Sequence, residues 1–336
     1  MHVLDFSKNG IRTNRNRNAC DSIVGVTIGN FDGFHLGHQA LCHALDTRLA
    51  DMQKALGRQT RKTILSFHPH PRRFIAGVRR RDWARYPEYW ALSPWRIRIS
   101  NARSHGFDSM CIARFNRRFA QQSAEEFARR YLSEMLGANL VVVGADWCFG
   151  RERSAGVHEL KLLGEKFGFE VIGIPDISVD GHRVSSGAIK RRLLEGDVTG
   201  AARFLGRYYS LSSRVIYGDQ RGRTLGFPTA NMDCPCVVLP QDGVYAAIVS
   251  SGGRSGHAVT NVGVRPSVDG SKRLIETHIL EDGLWDSDCR NLYGKILEVS
   301  FVKRLRGELK FGSLDELKDA IAGDVKNAML YFGQKK

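Results

Sequence analysis

The sequence predicts a chain of two domains, an α/β domain with a parallel sheet followed by a β-rich domain that ends in a helix. Its 336 residues are enough for two ordinary domains. In the first half, short apolar runs alternate with segments of helical periodicity, which is typical of a parallel sheet with helices on both faces. In the second half, from Leu211, short strand-like segments follow one another between Gly, Pro and Asp, which indicates an antiparallel sandwich or barrel.

The first half contains five predicted strands, each a short apolar run bounded by turn residues. Predicted helices separate them. The first helix starts at Leu36, and Pro94 opens the second in a first-turn position that suits proline. Ser123 and Glu126 form a capping box for the third helix, and the fourth begins around Val157. The strands are Ile23–Gly29, Thr63–Phe67, Ser109–Ala113, Leu140–Gly144 and Phe169–Ile174.

The second half contains five predicted strands and one closing helix. Ser313 and Glu316 cap this helix, and its apolar stripe recurs every three or four residues as far as Phe332. The strands are Ser213–Tyr217, Val244–Val249, Ala258–Val262, Leu274–Leu280 and Lys295–Val302. We therefore divide the chain into a basic lead-in at 1–20, a first domain at 21–195, a linker at 196–210 and a second domain at 211–336.

The composition is strongly basic, with 50 Lys and Arg against 35 Asp and Glu and a net charge of +15. Such a surface attracts polyanions, among them nucleic acid, acidic membranes and phosphorylated small molecules. No run approaches the roughly 18 consecutive apolar residues of a membrane-spanning helix, and no secretory leader is recognisable, so we expect a cytoplasmic protein without a membrane partner. Seven cysteines, an odd number, favour reduced thiols, and the C-x-C pair at Cys234 and Cys236 lacks the second pair of a structural zinc site.

The segment GNFDGFHLGH, residues 29–38, joins the first strand to the first helix. Gly29, Gly33 and Gly37 permit a tight turn and a close approach of a ligand to the backbone. The free N–H groups and the dipole at the helix start favour an anion. His35 and His38 are three residues apart, so both can face a phosphate whose charge grows in a transition state. A zinc site is the competing interpretation, but no third ligand stands at local spacing.

The segment GDQRGRTLGFPTAN, residues 218–231, is a Gly-rich loop that can surround phosphate groups. Arg221 and Arg223 add positive charge to it. No G-K-[S/T] follows, so the segment is not a Walker A loop. Thr229 and Asn231 offer oxygen ligands, which suit Mg²⁺ bound to nucleotide phosphates.

Both segments resemble motifs of one family. H-x-G-H after the first strand is the signature of the nucleotidylyltransferase superfamily, and G-x-F-D-G-x-H-x-G-H is similar to the N-terminal module of the prokaryotic bifunctional riboflavin kinase/FAD synthetase family. G-x-x-x-G-R-x-L-G-F-P-T-A-N is similar to the riboflavin kinase motif of that family. From about Ile23 to Phe332, further matches stand in the family's order: FHPHP at 67–71, Phe115 and Asn116 followed by SAEEF, GADWCFG at 144–150, GVYA at 243–246, NVGVRPS at 261–267, ETHIL at 276–280, NLYGK at 291–295 and FVKRLRGELKF at 301–311.

The resemblance implies a Rossmann-like nucleotidylyltransferase domain with a parallel sheet, followed by an antiparallel β-barrel with a terminal helix. It also implies two reactions. The barrel would phosphorylate riboflavin with ATP to give FMN, and the first domain would adenylylate FMN to FAD and release pyrophosphate. Riboflavin, FMN, FAD and ATP are therefore the expected partners, with ATP as co-substrate, and Mg²⁺ is the expected cofactor.

The resemblance further assigns roles to individual residues. Glu276 would be the general base that takes the proton from the 5′-hydroxyl of riboflavin, and His35 and His38 would stabilise charge on the α-phosphate of ATP. Thr229 and Asn231 would hold Mg²⁺. ATP and its phosphates would contact Gly29, Phe31, Asp32, Gly33, Gly37, Ser185, Ser186, Lys190, Gly218, Arg223 and Gly226. The flavins would contact Pro69, His70, Pro71, Phe74, Asp146, Arg306 and Glu308.

Two motifs depart from the family pattern. The superfamily's second signature, I-S-S-T-x-x-R, reads VSSGAIK at 184–190, with Gly187 for the threonine and Lys190 for the arginine. Lysine lacks the bidentate fork of arginine. Gly187, which lacks the hydroxyl of threonine, leaves open a riboflavin kinase with a weakened adenylyltransferase module. Asn291 replaces the aspartate of the family's D-L-Y-G after a longer loop at 281–290.

Nucleic-acid binding is a further interpretation. The segment RRRDWAR at 79–85 mixes arginine with an aromatic residue, as in a surface that stacks bases and contacts phosphates. Basic residues around sites for ATP and FMN explain the same charge, so we expect no nucleic-acid partner.

Overall fold

A computed structural model describes residues 1–5, 22–77, 90–218, 222, 225–233, 237–267, 270–280 and 292–333. Contacts divide the chain into two compact units: an N-terminal unit of residues 1–89 and 93–185, and a C-terminal unit of residues 90–92 and 186–336. The division therefore falls at Ser185, whereas the sequence placed the end of the first domain at 195. The physical reason is a pair of helices: Ser186–Leu194 packs on Val198–Leu205, which lies in the segment interpreted as a linker and packs against strands of the C-terminal unit.

A six-stranded parallel sheet forms the centre of the N-terminal unit. In chain order its strands are β1 (His2–Asp5), β2 (Ile23–Ile28), β3 (Thr60–His68), β4 (Ser109–Arg114), β5 (Leu140–Gly144) and β6 (Glu170–Ile174). Across the sheet the order is β1-β4-β3-β2-β5-β6. The predicted α/β architecture is confirmed, but β1 lies within the segment interpreted as a lead-in, where it pairs with the edge of β4.

Helices cover both faces of this sheet. Successive residues of a strand point to opposite faces, so Ile64 packs with Leu45 in one core and Leu65 packs with Leu132 in the other. The predicted cap of the third helix is present, since the Glu126 N–H donates to Ser123 Oγ at 3.1 Å. The helices are α1 (Leu36–Leu56), α2 (Pro71–Ile75), α3 (Trp95–Ser104), α4 (Arg117–Ala120), α5 (Ala124–Phe127) and α6 (Val157–Phe167), and α5 continues as a π-helical stretch over Ala128–Met135.

The strand order reverses at β2, because the chain first adds β3 on one side of it and later adds β5 on the other. In open α/β sheets, ligands bind outside the carboxyl ends of the strands at such a reversal. The segment 29–38 follows β2, and Asp146 follows β5. Two of the predicted site segments thus lie at the same edge of the sheet, after two neighbouring strands. A hairpin of β7 (Ser178–Val179) and β8 (His182–Arg183) precedes the end of this unit.

The C-terminal unit is a closed antiparallel barrel, which selects the barrel over the sandwich. Helices α7 (Ser186–Leu194) and α8 (Val198–Leu205) precede it. Its strands are β9 (Tyr209–Ile216), β10 (Ala230–Asp233), β11 (Gly243–Ser251), β12 (Arg254–Ser267), β13 (Gly270–Ile279) and β14 (Ile296–Gly307), in the order β10-β13-β12-β11-β14-β9 with β9 pairing back to β10. Tyr245, Thr260 and Thr277 are fully buried, and the two threonine hydroxyls are 3.1 Å apart.

The closing helix, α9 (Leu314–Gly333), packs on one side of the barrel. Its cap is as predicted, since the Glu316 N–H donates to Ser313 Oγ at 3.2 Å. Ala328 packs against Val244 and Val259 of the barrel wall. None of the helices in the described ranges combines the length and the hydrophobicity of a membrane-spanning segment.

Candidate functional site

Residues 29–38, called here the histidine turn, leave the sheet at the end of β2 with a strained backbone. Phe31 and Phe34 both have a φ of 48°, and Gly33 has a φ of 84°. Non-glycine residues seldom adopt this left-handed conformation. The rings of Phe31 and Phe34 are fully buried in the core between the sheet and α1, with their centroids 5.2 Å apart. Packing of the two rings therefore anchors the turn.

The structure brings the two predicted histidines together at the start of α1. His35 is the N-cap residue of α1, and its ring stacks on that of His38 with centroids 3.7 Å apart and an interplanar angle of 17°. The other face of His38 is near Phe31, at 4.6 Å between centroids. A Cβ on Gly37 would lie 3.2 Å from the His35 ring, so glycine gives the imidazole its space. Both imidazoles therefore lie at the first turn of α1.

Asp32, predicted to contact ATP, is directed into the protein. Its side chain is 1% exposed and forms an ion pair with Arg98 at 2.8 Å. The Ser93 N–H donates to the same carboxylate at 3.2 Å. Sequence reasoning missed Arg98, because 66 positions separate it from Asp32 and no motif marks it.

The predicted flavin contacts of the N-terminal unit lie after β3 and β5. His70 caps α2 by accepting from the Arg72 N–H at 3.2 Å, next to Pro69 and with Pro71 in the first turn. Phe74 is 39% exposed, and its ring meets Phe115 edge-on at 5.6 Å. An accessible aromatic surface of this kind suits a flat ring ligand.

Asp146 lies at the carboxyl end of β5 and forms an ion pair with Arg183 of β8. The Arg183 guanidinium also contacts Asp176 at 2.9 Å. The hydrogen bond to Asp146 raises the pKa of Arg183 above its usual value. Sequence reasoning missed Arg183, although it directly precedes the VSSGAIK motif.

The VSSGAIK motif spans the division between the two units. Ser185 ends the N-terminal unit, and Ser186 opens α7 in the C-terminal unit. Lys190 lies on α7 with 8% of its surface exposed. Gly187 occupies the first turn of that helix, where the family pattern has a hydroxyl.

In the barrel, Glu276 lies between two asparagines on neighbouring strands. The register pairs Glu276 with Asn231 of β10 on one side and with Asn261 of β12 on the other. Asn231 is 5% exposed, and its Oδ1 has no hydrogen-bond partner among the described residues. A Cβ on Gly218 would collide with the Asn231 amide, so glycine is required where this loop passes the strand. The sequence predicted no role for Asn261, although it belongs to the NVGVRPS motif.

Described residues of the Gly-rich loop contact β13, the strand that carries Glu276. The Phe227 N–H donates to the Gly222 carbonyl at 2.8 Å, and His278 of β13 is 2.9 Å from the Pro228 carbonyl. A Cβ on Gly222 would lie 3.2 Å from Thr229 Oγ1. These contacts place Thr229 close to β13, which carries Glu276. Gly226 adopts a φ of 88° in the turn, whereas Arg221 and Arg223 are outside the described residues.

Arg306 belongs to the same row of paired residues across the barrel. Asn261 pairs with Val244, and Val244 pairs with Arg306. The guanidinium of Arg306 binds Asp324 of α9 through Nη2 at 2.7 Å and Nε at 2.9 Å. Glu308, also predicted to contact flavin, is exposed, and its carboxylate lies against Gly263. The loop at 281–290 and Asn291, where the sequence departs from the family, are outside the described residues.

The geometry defines an α/β domain with two stacked histidines at a helix start, followed by a barrel that carries a carboxylate between two asparagines. Comparisons with known proteins agree with this class. A family model described as FAD synthetase matches residues 17–188, and one described as riboflavin kinase matches residues 205–332. The bifunctional riboflavin kinase/FMN adenylyltransferase of Haemophilus influenzae is 35% identical over 323 residues, which cover 96% of this chain and 98% of the relative.

Two further comparisons cover most of the chain. The bifunctional riboflavin kinase/FMN adenylyltransferase of Escherichia coli K12 is 34% identical over 312 residues, or 93% of each chain. A crystal structure described as a macrolide-efflux protein from Streptococcus pneumoniae shares the fold with a TM-score of 0.77 and 28% identity, over 91% of this chain and 93% of that one.

This chain belongs to the bifunctional riboflavin kinase/FMN adenylyltransferase family. It is an enzyme that phosphorylates riboflavin to FMN with ATP in its C-terminal domain and adenylylates FMN to FAD in its N-terminal domain, releasing pyrophosphate. The predicted activities are confirmed, and the alternatives of a weakened adenylyltransferase module and of a nucleic-acid-binding protein are not favoured.

Proposed function

We propose that Glu276 is the general base of riboflavin phosphorylation, with Thr229 and Asn231 as protein ligands of Mg²⁺. The observation that carries this proposal is the row formed by Asn231, Glu276 and Asn261 on three adjacent strands, with the buried, unpartnered Asn231 Oδ1 beside the carboxylate. Such an oxygen needs a partner, because a buried polar atom without one is costly.

The donor set fits a hard cation. An amide oxygen and a hydroxyl, together with waters and nucleotide phosphates, match the oxygen ligands that Mg²⁺ prefers. Within the described ranges, no group of three or more His, Cys, Asp or Glu side chains is placed to hold a metal. When bound, Mg²⁺ would supply positive charge to the β- and γ-phosphates of ATP.

Around it, the protein's own residues position the reactants. Glu276 accepts the proton of the riboflavin 5′-hydroxyl as that oxygen bonds to the γ-phosphorus, and ADP leaves. Gly218 and Gly226 let the loop pass close to the phosphates, with Arg223 adding charge. Arg306 and Glu308 contact the flavin.

In the N-terminal domain, a phosphate oxygen of FMN attacks the α-phosphorus of ATP, and the bond to pyrophosphate breaks. His35 and His38 donate hydrogen bonds to the α-phosphate, whose charge rises in the transition state. The close ring stack, 3.7 Å between centroids, supports a shared task for the two imidazoles. Gly29, Gly33 and Gly37 shape the turn.

Residues outside the histidine turn bind the ends of the two substrates. In the VSSGAIK motif, Lys190 attracts the leaving phosphates by charge, and Ser185 and Ser186 donate hydrogen bonds to them. Phe31 and Asp32 support the turn from inside the protein rather than by direct contact with ATP. The flavin is bound by Pro69, His70, Pro71, Phe74 and Asp146.

We further propose that the protein is cytoplasmic and that its partners are small molecules only. Cys42, Cys111 and Cys148 are free thiols, which suits a reducing compartment. Substrates rich in phosphate account for the +15 charge, without a nucleic-acid or membrane partner.

Product analysis of two single variants tests the assignment of residues. Glu276→Gln should lower FMN formation from riboflavin roughly 10²–10⁴-fold and spare FAD formation from supplied FMN. His38→Ala should do the reverse, with a loss of roughly 10²–10³-fold in FAD formation. Glu298→Gln, which alters a half-buried carboxylate of β14 away from Glu276, is the control and should change neither rate. Near-native riboflavin phosphorylation by Glu276→Gln would remove Glu276 from the mechanism.

A further inference from the structure

Arg98 of α3 lies outside every recognised motif, yet its guanidinium is buried beneath the histidine turn. The residue is 5% exposed. Its Nη2 donates to Asp32 Oδ1 at 2.8 Å, and its Nη1 donates to the Asn30 carbonyl at 3.2 Å. Its Nε donates to the Ser93 carbonyl at 3.0 Å. One side chain therefore fastens two residues of the turn to the segment that leads into α3.

These bonds hold the part of the turn with the strained backbone. Phe31 and Phe34 are left-handed non-glycine residues, and such a strained conformation persists only where the surrounding structure imposes it. Asp32 lies between them and is held by Arg98. The Gly33 N–H also donates to Ser93 Oγ at 3.3 Å. The strain is thus balanced by a buried ion pair and its hydrogen bonds.

The conformation of the turn sets the direction of both imidazoles. The Phe31 ring stacks on His38 at an interplanar angle of 23°, and His38 stacks on His35 at 17°. A change in the backbone at Phe31 or Asp32 would move Phe31, and the stack would pass that movement to both histidines.

We propose that Arg98 is a positioning residue for adenylyl transfer, which acts through the histidine turn. This proposal rests on the proposed roles of His35 and His38. All three guanidinium nitrogens are directed to protein acceptors, so Arg98 binds the turn and not the substrate. Lysine would keep the charge opposite Asp32, but its single nitrogen cannot reach Asp32, Asn30 and Ser93 together.

The first test is Arg98→Lys in the full chain, with pyrophosphate release from FMN and ATP as the measurement. We expect kcat to fall about 10–100-fold, since a small misplacement of catalytic groups has effects of this order, while KM for ATP changes by less than about twofold. Arg96→Lys, at an exposed position of the same helix, is the matched control and should keep the native kcat. The riboflavin kinase rate of each variant should stay native. An unchanged kcat, or a change confined to KM, would overturn the proposal.

The second test separates positioning from general stability by combining Arg98→Lys with His38→Ala. If Arg98 acts through the histidines, the double variant should be less than about threefold slower than His38→Ala alone. A merely structural role would multiply the two losses, and that result would overturn the proposal. Full activity of His38→Ala would instead refute the proposed role of the histidines, and this inference with it.

Asp32→Asn provides a second variant if Arg98→Lys does not fold. It weakens the same ion pair from the other side and keeps the shape of the side chain. Circular dichroism establishes that the variant is folded. The same loss of kcat with native KM is expected, and a folded Asp32→Asn protein with native kcat would contradict the positioning role of the pair.

Discussion

Replacing Asp324 by alanine should loosen α9 from the barrel and slow riboflavin phosphorylation, while adenylyl transfer to FMN stays native. The Asp324 carboxylate is the partner of Arg306, with donor–acceptor distances of 2.7, 2.9 and 3.1 Å. The side chain of Asp324 is 7% exposed, and that of Arg306 is 23% exposed. This pair connects the closing helix to the row of barrel residues that contains Glu276.

The expected loss of stability follows from burial. Removing one partner of a buried ion pair costs about 3–5 kcal/mol, because the other charge is left without compensation. Arg306 retains a hydrogen bond to the Gly307 carbonyl at 3.0 Å, and water reaches part of its guanidinium. The lower end, about 3 kcal/mol, therefore applies. Asp324→Asn keeps the shape and one acceptor, and should cost about 1–2 kcal/mol.

Amide hydrogen exchange of peptides from residues 314–333 measures this effect directly. A loss of about 3 kcal/mol corresponds to roughly hundredfold faster exchange in α9 if exchange follows local opening. The riboflavin kinase rate should fall by about tenfold, because Arg306, which we propose to contact the flavin, would no longer be held in place. Asp319→Asn, on an exposed part of the same helix, is the control. Native exchange in a folded Asp324→Ala protein would refute the reasoning.

Two other predictions concern the thiols and the phosphate motif. The pKa of Cys42 and of Cys111 is about 12 in the folded chain, against 9.0 for an ordinary thiol, so only the unfolded chain loses these protons between the two values. The free energy of unfolding should therefore fall as pH rises above 9, by about 2 kcal/mol per thiol near pH 10.5. Urea unfolding of the native protein and of Cys42→Ala across this pH range should show a shallower decline in the variant. Equal slopes of unfolding free energy against pH would contradict the prediction. Gly187→Thr combined with Lys190→Arg should raise the rate of pyrophosphate release from FMN and ATP without changing the riboflavin kinase rate. The reason is that the two substitutions restore a hydroxyl and a forked donor to α7. A lower rate of pyrophosphate release would mean that the chain binds the phosphates in another way.

The sequence predicted those parts of the fold that depend on local patterns. The apolar runs at Ile23–Ile28 and Leu140–Gly144 are strands because they are short, buried and ended by glycine. The glycines of 29–38 required a turn, and the turn brought His35 and His38 together. Strand β10 was missed, because it follows a Gly-rich loop and has only four residues. It is a strand because it pairs with β9 and β13, and that pairing is not visible in its own sequence.

The partners of the candidate site residues were beyond the reach of the sequence. Arg98 and Asp32 are 66 positions apart, and Arg183 and Asp146 are 37 apart. Arg306 and Asp324 are closer in sequence, but they lie on a strand and a helix whose packing no single-sequence pattern specifies. A charge pair between distant elements leaves no periodic signal, since each member looks like an ordinary surface residue. Contacts of this kind emerge only from the fold.

The paired row on the barrel also determines where the chain can change in length. Side chains alternate between the two faces of a strand. Inserting one residue within β13 would therefore turn Glu276 toward the barrel interior and turn Thr277, which is buried in the native chain, toward the outside. A closed barrel cannot absorb such a slip at an edge, since every strand is paired on both sides. Residues added after Ile279, where β13 ends, leave the register intact. The extra length of this chain at 281–290, relative to the family pattern, therefore follows the end of β13, where added residues leave the position of Glu276 unchanged.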